Sequence, residues 1–364
     1  MDSTDHLLVH QVARTLARPK DAPADSFVLH AALELLARAG LLPHVRVGER
    51  EAARARLRAL AASYDAAGDP VEDPRPAAPD PERLVAALVA GDLDEVDAQA
   101  VAVARVATPG EVRRLLAAPT LASLGAAAHG SILLHLLVRT AAPLGLPLGL
   151  LRQALREMAR YPTWHLRWFE DPQEPAVTAA LGEALLDVPH LGLPGSDFIF
   201  PIMSQAEESG IAPRLLGGIT TTPARAERDL ARVAAWSMLQ EPDEHVAYGW
   251  THCLTMPQGA VRLADVADHA VQVAATYVVG FRAAEGTVAL DPTAGVDPAA
   301  DPADLASYAA AHEDAHLAKY TLACFDAAAQ DPEMRHLYLA AATRLAAWWR
   351  AEDERAATPE ARCA

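Results

Sequence analysis

Apolar residues recur every three to four positions along most of the chain, the spacing typical of amphipathic α-helices. Residues 26–65 predict two helices separated by a break from Gly40 to Pro43. Residues 82–160 predict a succession of helices that starts at Asp80 and Pro81, because Asp favours the cap and Pro the first helical position. We therefore expect an all-α fold.

Further helical patterns follow in the second half of the chain, at residues 224–240, 244–256, 260–282 and 304–350. Acidic, proline-rich connectors at 68–82 and 290–304 interrupt the helices. Residues 186–224 hold several Gly and Pro residues, so we expect long loops there. The pattern predicts one large helical domain over residues 1–364, an irregular multi-helix bundle with long Pro/Gly-rich loops.

Composition excludes several classes of partner. Half of the residues are apolar, so the chain can bury a sizeable core. The net charge is −17 and the cationic residues are scattered, so a nucleic acid would be repelled. The most apolar stretch, residues 121–151, is interrupted by His129, His135 and Arg139, and the first residues lack the pattern of a signal peptide. We expect a cytoplasmic protein without a membrane partner.

The three cysteines, Cys253, Cys324 and Cys363, show no CxxC spacing. This distribution fits a reducing compartment and disfavours a thiolate zinc site. Cys253 and Cys324 are expected to be core residues. No GxxxxGK[ST], strand-associated GxGxxG or GxSxG motif occurs, so the sequence supports neither a familiar nucleotide site nor a nucleophile elbow.

The segment 306–328 contains neither Pro nor Gly and predicts one continuous helix. On such a helix His312, His316 and Lys319 fall at i, i+4 and i+7 and share one stripe. The flanking residues are apolar or small, so we expect the stripe to point into the protein. His316 and Lys319 are the leading candidates for catalytic residues.

Lys319 stands out chemically. Of the 31 lysines and arginines, two are lysines, Lys20 and Lys319. An amine, unlike a guanidinium, can lose its proton when buried, form a Schiff base, or add carbon dioxide to give a metal-binding carbamate. The alternative is an ordinary lysine whose head group reaches solvent.

His312, Glu313 and His316 also satisfy the HExxH pattern of zinc hydrolases, in which two histidines on one helix face bind zinc and Glu acts as the base. No downstream Gly-x-x-His completes a longer signature. A zinc hydrolase is therefore a minor alternative.

Three more histidines occupy apolar surroundings: His30, His129 and His252. Each alone is most simply a buried imidazole bonded to a backbone carbonyl. Together they suggest a metal site, since histidines from different helices commonly converge in a bundle core. Small residues flank His129 in Gly125–Gly130 and would leave room for an ion.

The sequence segments that contain these histidines, together with one segment near residue 340, resemble those of the questin oxidase-like family. The resemblance is spread over most of the chain: His30 to Gly40, then AAAHGSILLHLL, WTHCLTMPQGAVRL, HEDAHLAKYTLACFDAA and YLAAATRLAAW, in that order. Fungal members of the family are associated with oxidative ring opening of anthraquinones. The resemblance implies an oxygenase of secondary metabolism acting on an aromatic polyketide or quinone and O2.

By the same resemblance, His30, His129, His252 and His316 would be imidazole ligands of a non-haem Fe(II). Lys319, as a carboxylated lysine, would be the oxygen ligand. His312 would lie behind the ligands or be an alternative ligand. An NADPH-dependent Baeyer–Villiger-type monooxygenase of the same family and a non-catalytic helical binding or accessory protein remain alternatives.

Four aromatic residues are candidates for a flat substrate pocket: Phe198, Phe200, Trp250 and Tyr320. An aromatic substrate would stack against such side chains. Core packing explains each of them equally well.

Overall fold

The computed structural model describes residues 1–170, 180–196 and 198–357. Within these ranges the regular elements are all helices, and two isolated bridges join Lys20 to Pro70 and Ser123 to His165. The prediction of an all-α fold is confirmed. Cys363 lies outside the described residues.

The first half of the chain contains nine α-helices within the described ranges. They are α1 (Ser3–Leu16), α2 (Ser26–Leu41), α3 (Arg50–Ala66), α4 (Pro81–Ala90), α5 (Leu93–Ala104), α6 (Pro109–Leu121), α7 (Gly130–Leu136), α8 (Ala142–Leu144) and α9 (Arg152–Arg160). A 3-10 turn, Gly125–Ala128, precedes α7, and a π-helical turn, Leu137–Ala141, follows it.

The described part of the second half contains nine more. They are α10 (Leu181–Ala184), α11 (Ile199–Glu208), α12 (Ile211–Leu216), α13 (Pro223–Gln240), α14 (Gly249–Val261), α15 (Ala270–Glu285), α16 (Pro302–Ala311), α17 (Ala315–Gln330) and α18 (Arg335–Ala357). Further 3-10 turns cover Leu42–His44, Val47–Glu49, Leu148–Leu151, Asp243–His245 and Pro332–Met334.

Several helix ends follow from residues visible in the sequence. The carboxylate of Asp80 accepts the backbone N–H of Arg83, and Pro81 takes the first position of α4, as predicted. The connectors 68–82 and 290–304 are largely non-helical, and α4 and α16 begin inside them. α2 and α3 flank the predicted break near Pro43.

The region predicted as loops, 186–224, contains two helices, so that prediction is wrong in part. α11 buries Ile199, Ile202, Met203 and Ala206, which have helical spacing that the neighbouring Gly and Pro residues obscured. The predicted end of a helix at residue 256 is also wrong, because α14 continues through Pro257 to Val261.

Four helices form the centre of the fold. α2, α7, α14 and α17 pack against one another, and every residue of α14 is buried. α1 and α3 cover α2, α13 and α15 cover α14, and α16 and α18 cover α17. α9 packs against the turn before α7. Because α2, α14 and α17 carry His30, His252 and His316, and His129 directly precedes α7, the packing brings these histidines together.

The segment Ser26–His44, which includes α2, also has the length and apolar composition of a membrane-spanning helix. In this structure 72% of it is buried inside the protein. The core helix of a soluble protein passes the same test on length and composition. The buried ion pair of Glu34 and Arg38 lies within this helix.

Candidate metal centre

Four imidazoles meet in the centre of the bundle. The ring centroids of His30 and His129 are 4.6 Å apart, those of His129 and His252 5.2 Å, and those of His252 and His316 4.9 Å. The ring of His316 also lies 4.6 Å from that of His30, which closes the group. All four residues are buried. The histidines singled out from the sequence therefore converge.

Each ring is held at its Nδ1 atom. Three backbone carbonyls accept from these atoms: Ser26 O from His30 at 2.5 Å, Ala127 O from His129 at 2.7 Å, and Tyr248 O from His252 at 2.6 Å. In His316 the Nδ1 faces a carboxylate oxygen of Asp314 at 3.4 Å. A carbonyl can only accept, so the proton of each of the first three rings resides on Nδ1.

The opposite ring atoms, Nε2, consequently present lone pairs to the centre. The Nε2 atoms of His129 and His252 are 3.3 Å apart, and the buried Nε2 of His30 has no hydrogen-bond partner. One ligand atom from each of these three residues lies within 4.8 Å of the others. Three convergent, desolvated lone pairs could hold a metal ion, and histidine ligands with Nδ1 bonded to a carbonyl are typical of metal sites.

A strained turn places His129 in the centre. Ala126, Ala127 and Ala128 all have positive φ, at 52°, 47° and 56°. Each costs about 1–2 kcal/mol relative to a right-handed conformation. A Cβ at Gly125 would lie 2.9 Å from the Cα of Met158, which shows how closely α9 approaches this turn. The surrounding packing therefore enforces an unfavourable backbone, as often found at functional sites.

The predicted continuous helix over 306–328 is wrong. α16 ends at Ala311, His312 is extended with ψ of 151°, and α17 begins at Ala315. The carboxylate of Asp314 caps α17 by accepting the backbone N–H groups of His316 at 2.8 Å and Leu317 at 2.9 Å. Asp is a preferred cap residue, and here it starts a new helix and also faces the His316 ring.

Arg38 fixes this break from the neighbouring α2. Its buried guanidinium donates to the carbonyls of Ala309 at 2.8 Å and Ala310 at 2.9 Å, and it pairs with Glu34 at 2.8 Å. These carbonyls belong to the last turn of α16, where helix geometry leaves acceptors unpaired. α2 thus supplies both His30 and the ion pair that positions Asp314.

His312 does not share a stripe with His316, because the break separates the two residues. Its ring lies 4.8 Å from that of Trp349, and its Nε2 lies 3.4 Å from Asp353. Its Nδ1 accepts the backbone N–H of Asp314 at 3.0 Å. It therefore lies behind Asp314. The HExxH interpretation required one helix face and loses its structural basis.

Lys319 lies within reach of the imidazoles. Its Nζ is 3.4 Å from the Nε2 of His129, and the residue is 3% exposed. Burial lowers the pKa of Lys319 to about 7, although the charges of Asp314 and Glu34 act in the opposite direction. A substantial fraction of this amine is therefore neutral near pH 7, as the sequence suggested for a buried lysine.

Burial also keeps the imidazoles neutral. It lowers the pKa of His30, His129, His252 and His316 well below the ordinary value, and the Lys319 charge adds to the effect in each case. Neutral imidazole is the form that ligates metals. The four rings are therefore in the protonation state that a metal ligand requires.

No family model, curated protein or solved structure matches this chain significantly.

A small cavity of about 10 Å³ borders Lys319 on the side of α7. This is room for about one water molecule. Its polar lining includes His135, Thr255, Gln258 and Asp326. The amine of Lys319 thus lies between the imidazole group and a polar cavity.

The four predicted pocket aromatics are not gathered in one place. Phe198 is 72% exposed, whereas Trp250 and Tyr320 are fully buried. Phe200 stacks on Trp164 with centroids 4.0 Å apart. Among the described residues, no ring contact joins any two of the four candidates. Two other aromatic rings contact the imidazoles: Tyr248, half exposed and 5.0 Å from His316, and the buried Phe281, stacked 6.1 Å from His252.

The sequence interpretation missed several residues that shape the centre: Ser26, Glu34, Arg38, Ala127, Tyr248 and the capping role of Asp314. Ser26, Ala127 and Tyr248 act through backbone carbonyls, for which side-chain chemistry gives no signal. Asp314 did carry a signal, because an Asp directly before a run of apolar and small residues favours a helix start.

Proposed function

We propose that this protein is a metal-dependent oxygenase that oxidatively opens a ring of a polycyclic aromatic polyketide or related quinone. The observation that carries the proposal is the set of buried imidazoles whose Nδ1 atoms are held and whose Nε2 atoms face one another. The substrate class and membership of the questin oxidase-like family rest on the sequence resemblance alone.

The ligand set favours Fe(II). His30, His129 and His252 would hold the ion, and His316 would complete the imidazole set. Imidazole and oxygen ligands suit iron, and the buried cysteines Cys253 and Cys324 do not belong to the group. Fe(II) bound there supplies reactivity toward O2 beside an electron-rich ring.

Lys319 is proposed to supply an oxygen ligand after modification. Its neutral amine attacks the carbon of carbon dioxide, so that a C–N bond forms while one C=O π bond opens onto oxygen, and the nitrogen gives up one proton to leave a carbamate anion. The pKa of about 7 makes neutral amine abundant, and the adjacent polar cavity offers an acceptor route for the proton. Arginine could not replace it, since a guanidinium does not lose its proton.

Backbone carbonyl groups around the centre position the imidazole rings. The carbonyls of Ser26, Ala127 and Tyr248 keep three rings in one tautomer and one orientation. When the Nε2 atom of His316 ligates a cation, the carboxylate of Asp314 would accept the Nδ1 proton and so hold this ring in the same way. The half-exposed Tyr248 marks the side from which a substrate ring would approach.

The test begins with anaerobic loading of the purified protein with Fe(II), followed by oxygen uptake with an anthraquinone or its hydroquinone. We expect oxygen consumption that depends on iron and substrate and is lost in His129→Ala and Lys319→Arg. Added NADPH distinguishes the two oxygenase hypotheses, because a dioxygenase consumes none. Absence of metal binding in the wild-type protein would leave the non-catalytic alternative.

A further inference from the structure

A second cavity lies at the surface beside α1 and has a volume of about 300 Å³. This is the lower end of the range for small-molecule sites. The lining residues come from α1, the segment after it, the end of α3 and the following connector: Gln11, Arg14, Thr15, Arg18, Lys20, Tyr64, Asp65 and Pro70. None of the histidines of the metal centre lines it.

α1 presents a polar face to this cleft. Gln11, Arg14 and Thr15 follow one another at helical spacing, and Arg18 lies two residues beyond the end of the helix. The acidic residues at the start of α1, Asp2 and Asp5, pair with arginines of α3. In the described part of the chain, by contrast, neither Arg14 nor Arg18 forms an ion pair. Two guanidinium groups thus border the cleft without an acidic partner.

Lys20 adds a fixed positive charge. The residue is 4% exposed, and its Nζ donates to the carbonyls of Asp65 at 3.1 Å and Gly68 at 2.8 Å. It also lies 5.0 Å above the ring of Tyr64, whose hydroxyl donates to the carbonyl of Arg18 at 3.1 Å. An ammonium has three N–H groups, so one remains for a ligand. Both lysines of this chain are therefore buried at cavities.

The charges select a dianion. Arg14, Arg18 and Lys20 oppose one carboxylate, that of Asp65, which leaves two positive charges in a protein of net charge −17. A phosphate monoester carries about −1.5 to −2 at pH 7 and offers three acceptor oxygens. A monocarboxylate would neutralise only half of the excess. Guanidinium forks and an ammonium are also the groups that commonly bind phosphate.

We propose that this cleft binds a small molecule through its phosphate group. Arg14 and Arg18 contribute movable guanidinium groups, and Lys20 contributes a charge that the surrounding carbonyls hold in place. The proposal does not depend on the metal centre or on oxygenase activity.

The test is isothermal titration of the full-length protein with inorganic phosphate, with phenyl phosphate and with acetate at constant ionic strength. The variant Arg14→Gln/Arg18→Gln removes two charges from exposed positions, and circular dichroism checks its fold. Arg105→Gln, at an exposed arginine just after α5 and outside the cleft, is the matched control.

We expect saturable binding of a phosphate compound that weakens at least about tenfold in the double variant and stays unchanged in Arg105→Gln. Tighter binding of phenyl phosphate than of phosphate would identify an organic phosphate as the ligand, and the reverse would identify free phosphate. The proposal is overturned if no phosphate compound binds below about 10 mM, if acetate binds as tightly, or if the double variant binds like the wild-type protein.

Discussion

The Nε2 atoms of His129 and His252 lie 3.3 Å apart, although the Nδ1 atom of each ring already donates to a backbone carbonyl. Both facing atoms are therefore acceptors, and two lone pairs at this separation repel each other. The ammonium of Lys319 can relieve one of them, since it lies 3.4 Å from His129. A metal ion bound between the two rings would relieve both.

We expect His129→Ala and His252→Ala each to weaken the binding of Fe(II), or of Co(II) as an air-stable probe, by more than about 100-fold. Each variant removes a ligand, whereas changing groups behind the ligands typically costs 10–100-fold. Metal analysis and titration of apoprotein measure the effect. His336→Ala, on the exposed surface of α18, is the control and should bind metal like the wild-type protein. Unchanged affinity in both variants would exclude this pair from a metal site.

The sequence predicted the convergence of the histidines because their environment was unusual. His30, His129 and His252 occupy positions where the sequence pattern favours apolar side chains. Burying several imidazoles in one core costs free energy unless their polar atoms find partners or a common ligand. The all-α class followed from periodicity over long segments, which is a strong signal.

The break between α16 and α17 was not predicted, because segment 306–328 lacks the usual Gly and Pro. Two contacts produce it: Arg38 of the distant α2 binds the end of α16, and Asp314 caps α17 locally. A contact between α2 and residues some 270 positions later leaves no trace in local composition. The substrate pocket was not predictable for a related reason, since aromatic residues are equally suited to stacking and to core packing.

Asp314→Asn separates capping from charge. Asn is about as good a helix cap as Asp, so the free energy of unfolding should change by less than about 0.5 kcal/mol. The charge opposite the Nδ1 of His316 is lost, and metal affinity should fall by about tenfold. Asp301→Asn makes the same change at the cap of α16 and should leave metal affinity intact. Equal metal affinity in Asp314→Asn would show that this carboxylate acts only as a cap.

Stability of the metal-free protein should depend on pH through the buried imidazoles. Their pKa values in the folded state are well below 6.5, so the unfolded chain takes up more protons as the pH falls through about 6.5. The free energy of unfolding then decreases, by about 1.4 kcal/mol per pH unit for each such imidazole. Urea denaturation with a chelator between pH 7.5 and 5.5 measures the slope.

His252→Leu provides the control for that slope, because it removes one of the four groups while retaining an apolar side chain of comparable size. Its stability should fall less steeply with acid than that of the wild-type protein. Identical slopes would mean that other groups, such as His44 and His165, whose pKa values are also lowered by desolvation, control the acid response.

Ala127→Gly tests whether the turn before α7 stores strain. Glycine adopts positive φ without the clash of a Cβ, so relief of about 1–2 kcal/mol should exceed the entropy that glycine loses on folding, about 0.5–1 kcal/mol. We expect a net gain of about 0.5–1 kcal/mol in the free energy of unfolding, measured with urea. Ala59→Gly, on the exposed face of α3, should instead lose about 1 kcal/mol, as expected for a helix interior. If both variants lose the same amount, the backbone at Ala127 is unstrained in solution, and His129 is then placed by the packing of Met158 and Thr120 around the neighbouring glycines rather than by a strained turn.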